Sequence, residues 1–143
     1  MKSTLVDAGP LIALFDSDDR YHASVIDFLR KFKGKLITTW PVITEVTHML
    51  SFNVHVQIDF LEWLRREAVE IMNIDKEHLD RIIQLSRKYS NVPMDLADSS
   101  LVVIAELTGI NDILSIDSDY YIYRTKSRKA LNNILLPHIR SEH

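Results

Sequence analysis

The chain has 143 residues, 46% of them hydrophobic and 26% charged, which suits one domain over residues 1–143 with a core of its own. Its net charge of −3, from 17 basic and 20 acidic residues, excludes a protein that holds nucleic acid by bulk electrostatics, but not a nuclease whose acids gather in one site. The absence of cysteine excludes disulfides and thiolate metal sites.

Met1-Lys2-Ser3 runs directly into Thr4-Leu5-Val6-Asp7, so no secretion signal is expected, and no apolar run approaches the roughly 20 residues of a membrane span. The cytoplasm is the expected compartment. Ser3 to Val6 reads as a strand ending at Asp7, and Ala8-Gly9-Pro10 breaks it before a helix from Leu11 to Phe15. That places Asp7 at the carboxyl end of a strand, where open parallel sheets put their ligands; ordering the turn is its other reading. Asp16 to Arg20 is a polar loop. The spacing of Val25, Ile26, Phe28, Leu29 and Phe32 predicts a helix over His22 to Lys33, stopped by Gly34.

Lys35 to Thr38 is a second strand, and Thr39-Trp40-Pro41 opens a helix to about Ser51. Its apolar stripe is Val42, Val46, Met49 and Leu50, and Glu45 falls on the stripe's edge. An acid there must reach solvent, find a cation or bind a metal, because burying it unpaired is costly. Val54 to Arg66 is a further helix in which Phe60 and Trp63 are available for packing or for a partner. Val69 to Met72 is a third strand, Lys76 to Tyr89 a helix, and Asn91-Val92-Pro93 a turn.

Met94-Asp95-Leu96-Ala97-Asp98-Ser99-Ser100 leads into the apolar run Leu101 to Leu107 and stops at Thr108-Gly109. This is a buried helix with Gly109 just past its end. Asp95 and Asp98 share one face at its start. Capping explains one of them well; the second raises the pKa of the first unless a cation lies between them. Asn111 to Asp119 holds a fourth short strand whose carboxyl end again carries acid, at Asp117 and Asp119. Asp clusters also form turns, so both readings stand. Tyr120 to Tyr123 is aromatic, Arg124 to Lys129 is a basic run, and Leu131 to Leu136 is a candidate edge strand before a polar tail.

Strands alternating with helices point to an α/β fold on a mainly parallel sheet. Such a fold brings Asp7 and Asp117 out together, with Glu45 and the Asp95–Asp98 turn as neighbours. Four or more carboxylates in one cleft need a cation, and all-oxygen ligation suits Mg²⁺ or Mn²⁺ and phosphate chemistry.

In order along almost the whole chain, Leu5-Val6-Asp7-Ala8-Gly9-Pro10, the helix with Glu45, Asp95-Leu96-Ala97-Asp98 and Leu114-Ser115-Ile116-Asp117-Ser118-Asp119-Tyr120 resemble the four acidic motifs of PIN-domain ribonucleases, with VapC-type toxins as small stand-alone members. The resemblance implies a three-layer α/β/α sandwich, divalent-metal-dependent endoribonuclease activity, commonly a homodimer, and inhibition by a small antitoxin. It makes Asp7, Glu45, Asp98 and Asp117 the catalytic metal ligands, with Asp95 and Asp119 as secondary ones. Ser115 stands where the family usually has threonine and could orient a metal-bound water. Ala8 replaces a small hydroxyl residue, and Tyr120 replaces a common phenylalanine and reads as packing.

Arg124, Lys126 and Arg128 are the candidate RNA-backbone contacts, against a solvated charged face. Trp40, Phe60 and Trp63 offer base stacking, against core or dimer packing. His48 offers a phosphate contact, against a structural role. Two rivals remain. A Mg²⁺-dependent phosphoryl-transfer α/β protein is disfavoured because Asp7 lacks a D-x-D partner and no lysine sits at a late strand end. A non-catalytic PIN-like module that binds RNA or protein is disfavoured by the intact acids.

Overall fold

The computed structural model describes residues 2–92 and 94–141. Its five strands are β1 (Ser3–Val6), β2 (Lys35–Thr39), β3 (Val69–Met72), β4 (Asp112–Leu114) and β5 (Asn132–Asn133), all paired in parallel in the order β3-β2-β1-β4-β5. Most positions of β1, β2 and β4 are buried without alternation. A strand buried on both faces needs a covering layer on each side.

Among the described residues, seven helices provide the covering: α1 (Ala8–Phe15), α2 (His22–Lys31), α3 (Trp40–Met49), α4 (Val54–Leu64), α5 (Leu79–Lys88), α6 (Leu96–Thr108) and α7 (Leu136–Ser141). α1 packs with α2, α3 and α4 and α2 with α7, while α6 packs with α3 and α5. The result is a three-layer α/β/α sandwich. α6 runs through its interior, with Ala97 and every residue from Ser99 to Ala105 buried. Ser99 and Ser100 are tolerated there because their hydroxyls donate to the Leu96 and Ala97 carbonyls, and Ser100 also pairs with Thr39 at 2.7 Å. Gly109 closes α6 at φ 78°, a conformation a side chain would strain.

Several boundaries differ from those expected. α1 begins at Ala8, three residues early, with Asp7 as its N-cap, because a proline within the first turn forfeits no helical hydrogen bond. α2 stops at Lys31, where Phe32 turns extended and stacks on Phe28. The helix expected from Lys76 starts as a 3₁₀ turn over Lys76–His78. The turn expected at Asn91-Val92-Pro93 falls in part on Pro93, outside the described residues.

The C-terminal segment departs most. Of the edge strand expected over Leu131 to Leu136 only Asn132 and Asn133 pair, and the expected polar tail is helix α7 through Ser141. Asn133 is buried, and its Oδ1 accepts the N–H groups of Leu135, Leu136 and Ser115 at 3.1–3.4 Å. Leu135 and Ile139 enter the core, and the His138 ring meets Phe28 edge-on at 5.4 Å. One asparagine thus holds both α7 and the turn after β4.

Candidate active site

The strand order changes direction at β1. β2 and β3 lie to one side and β4 and β5 to the other, and a crevice opens outside the carboxyl ends at such a point. Asp7, the first residue past β1, is pinned there by its N–H to the Leu114 carbonyl of β4 at 3.0 Å. It is only 7% exposed. Burial pushes its carboxyl up to about 7, and Glu45 and Asp117 add to the rise; the Ala8 N–H and Ser115 hydroxyl oppose it.

Ser115 is fully buried, donates to Asp7 Oδ2 at 3.0 Å and accepts the Asp117 N–H at 3.0 Å. It therefore locks the first and fourth acids in one frame. Asp117 does not end the fourth strand, as expected. β4 stops at Leu114, and Asp117 instead caps a 3₁₀ turn over Ser118–Tyr121 by accepting the Asp119 N–H at 2.9 Å. The strand ends early because the chain folds in around buried Ser115.

Asp95 and Asp98 form a reciprocal cap: Asp98 N–H donates to Asp95 Oδ1 at 2.8 Å, and Asp95 N–H to Asp98 Oδ2 at 3.2 Å. Capping uses both acids, yet it does not exhaust Asp98. Its other oxygen accepts the Tyr120 hydroxyl at 3.1 Å. Burial, then Asp7 and Asp95, raise the Asp98 pKa. Glu45, half-buried in the second turn of α3, is raised by burial and then by Asp95, and Asp119 by burial and then by Asp117.

Asp7, Glu45, Asp95, Asp98, Asp117 and Asp119 all line one cleft of about 630 Å³. Ionising them together there is unfavourable without a cation. Among the described residues, the group of three with ligand atoms within 4.8 Å of one another lies elsewhere, at Asp75, Glu77 and His78. That group is the cap before α5, with the Asp75 N–H donating to His78 Nδ1 at 2.9 Å. The cleft acids are spread more widely. Mg²⁺ keeps several of its waters and takes few carboxylates directly, so a wide all-oxygen ring still fits a hard divalent ion.

Residues 4–126 match the model of the PIN domain. The chain belongs to the PIN-domain family. This PIN domain is 24% identical over 119 residues to Ribonuclease VapC26 of Mycobacterium tuberculosis, an alignment covering 82% of the chain and 88% of that protein. Its fold matches the crystal structure of Mycobacterium tuberculosis VapC20, described as a Sarcin-Ricin loop cleaving toxin, with TM-score 0.76 and 12% identity over 83% of this chain and 93% of that one. It also matches VapBC2 from Rickettsia felis, solved bound to a DNA fragment from its promoter, with TM-score 0.60 and 10% identity over 84% and 92% of the two chains.

The remaining candidates separate. Arg124, Lys126 and Arg128 do not line the acidic cleft. The Arg124 guanidinium donates to the Tyr121 and Tyr123 carbonyls, while Lys126 borders a separate cavity and its N–H donates to Glu106 at 2.7 Å. Phe60 is fully buried in the core, and half-buried Trp63 packs against that core; both meet Phe15 edge-on, at 5.5 and 5.6 Å. Trp40 is 53% exposed, and His48 is exposed beside it.

Tyr120 is the residue the sequence reading undervalued. It is buried and packs edge-on against Tyr123, but its hydroxyl also bonds Asp98. Burial and the Asp7 and Asp98 charges hold that hydroxyl protonated, so it is a donor. The available signal was a hydroxyl at a position where the family usually has none.

Proposed function

We propose that this PIN domain is a divalent-metal-dependent endoribonuclease that hydrolyses RNA phosphodiester bonds and serves as the toxin of a toxin–antitoxin pair. The observation that carries the proposal is that acids from four separate segments line one cleft: Asp7 after β1, Glu45 on α3, Asp98 on α6 and Asp117 after β4. The similarity to a ribonuclease and to toxin structures supports the reaction and its biological setting.

In this reading Asp7, Glu45, Asp98 and Asp117 hold Mg²⁺ or Mn²⁺, with Asp95 and Asp119 assisting. When bound, the ion supplies charge stabilisation at the phosphoryl and leaving oxygens and lowers the pKa of water. The chain's part is to present oxygens in fixed orientations. Ser115 aims Asp7 by its hydroxyl bond, Tyr120 and the helix cap fix both oxygens of Asp98, and Asp117 is oriented by its own turn. Lys126 and Arg128, both exposed, meet RNA phosphates outside the cleft, with Arg124 mainly supporting their loop.

A protein partner has a surface to use. Val54, Ile58 and Leu61 form an exposed apolar stripe along α4, flanking the face that buries Phe60 and Leu64. The proposal includes a homodimer, an antitoxin and a cytoplasmic site of action; among the described residues no helix is long and apolar enough to cross a membrane.

The test is cleavage of single-stranded RNA with Mn²⁺ or Mg²⁺. Product bands are expected with either ion and none after EDTA or in Asp98→Asn. Tight RNA binding with the substrate left intact would instead make the chain a binding module.

A further inference from the structure

Directly beside the acidic cleft lies a larger hollow of about 820 Å³, and the two share Glu45 and Asp95 as walls. Its character is different. Trp40, Leu79 and Leu96 are 53%, 45% and 54% exposed around it, bare apolar surface gathered next to a cluster of carboxylates. We propose that this hollow is a nucleobase subsite, in which an unpaired base next to the cut phosphate stacks on Trp40; the proposal rests on the ribonuclease reading above.

Three features select a base as the occupant. The backbone under the platform is fixed: Trp40 opens α3, the preceding Thr39 is fully buried and tied to Ser100 at 2.7 Å, and the Trp40 carbonyl accepts the Thr44 hydroxyl at 3.0 Å. An indole has only two side-chain torsions, so on a fixed backbone it loses little freedom when a ring stacks on it. The walls are also mixed. An apolar side chain of a second copy, docked here, would offer no donor to the Glu45 and Asp95 carboxylates on this side. A base offers an apolar face to Trp40 and, on adenine, cytosine or guanine, an exocyclic amino group that a carboxylate accepts.

The third feature is position. Glu45 belongs to both walls, so the hollow lies within reach of a nucleotide adjoining a phosphate held in the cleft. Lys76, on the hollow's border, supplies a cation for the next phosphate. Trp40, Thr44 and His48 recur every four residues, so one face of α3 lines the hollow, with Glu45 beside it reaching the cleft.

The experiment is a coupled substitution of enzyme and substrate. A short single-stranded RNA is cleaved and its cut site mapped, and then each nucleotide flanking the cut is made abasic in turn. One flanking position should lower kcat/KM by about 10- to 100-fold with the wild-type protein, the range of one lost base–aromatic stack. Trp40→Ala should lower kcat/KM on intact RNA by a similar factor, with little further loss on the abasic RNA, and Trp40→Phe should recover most of it. Losses that multiply independently, or an unaffected Trp40→Ala protein, would overturn the subsite while leaving the nuclease standing. A Trp40→Ala protein that changes from dimer to monomer by light scattering but cuts normally would reassign the hollow to a self-interface, also overturning it. A wild-type chain that cuts no RNA removes the ribonuclease reading itself, and the subsite with it.

Discussion

Replacing Asp7 by Asn should make the metal-free protein more stable, and only above acidic pH. Asp7 has its pKa raised from 3.8 to about 7 by burial, so its ionisation is easier in the unfolded chain than in the folded one. Stability from this group is therefore complete below pH 4, falls as pH rises between 4 and 7, and is flat above. At 1.36 kcal/mol per pH unit the window corresponds to about 4 kcal/mol as an upper bound. Water entry and relaxation of Glu45 and Asp117 reduce it, and about 2 kcal/mol is the expected gain for Asp7→Asn at pH 8, or about 6 °C in Tm for a chain of this size. The asparagine keeps an acceptor for the Ser115 hydroxyl, so little else is lost. Thermal melts in EDTA at pH 4, 6 and 8 measure the gap, and excess Mn²⁺ should close it by stabilising the wild type alone. A gap of equal size at every pH, or an Asn variant less stable at pH 8, would refute the account of Asp7 as a buried carboxylate held for a cation.

Tyr120→Phe removes one buried hydroxyl and should cost about 1 kcal/mol in urea unfolding, while calorimetric titration shows Mn²⁺ binding weakened about 10-fold because Asp98 loses its fixed donor. Asn133→Ala should cost about 2–3 kcal/mol, since the N–H groups of Ser115, Leu135 and Leu136 lose their shared acceptor, and α7 should then exchange its amide hydrogens faster. Glu106→Ala breaks the paired hydrogen bonds with Arg81 that tie α6 to α5 and the bond to the Lys126 N–H. It should destabilise the fold by about 3 kcal/mol in urea unfolding.

What the chain determined by itself was local. Apolar spacing and glycine or proline stops marked nearly every strand and helix, spacing put Asp95 and Asp98 on one face with a cap for one of them, and acids after two strands announced a site at the sheet's edge. Four acidic motifs in order were enough to name a family. The tertiary structure decided everything that depends on which faces meet. Ser115 joins Asp7 across 108 residues and Tyr120 joins Asp98 across 22, so neither bond has a local signature. α7 exists because Asn133, itself in β5, caps it, and its own sequence reads as a tail. Trp40, Phe60 and Trp63 are alike in composition, and packing alone sent two inward and left one facing the cleft's neighbour. Periodicity records which side of an element is apolar; only the assembled layers fix what that side touches, because burial is a property of neighbours distant in the chain.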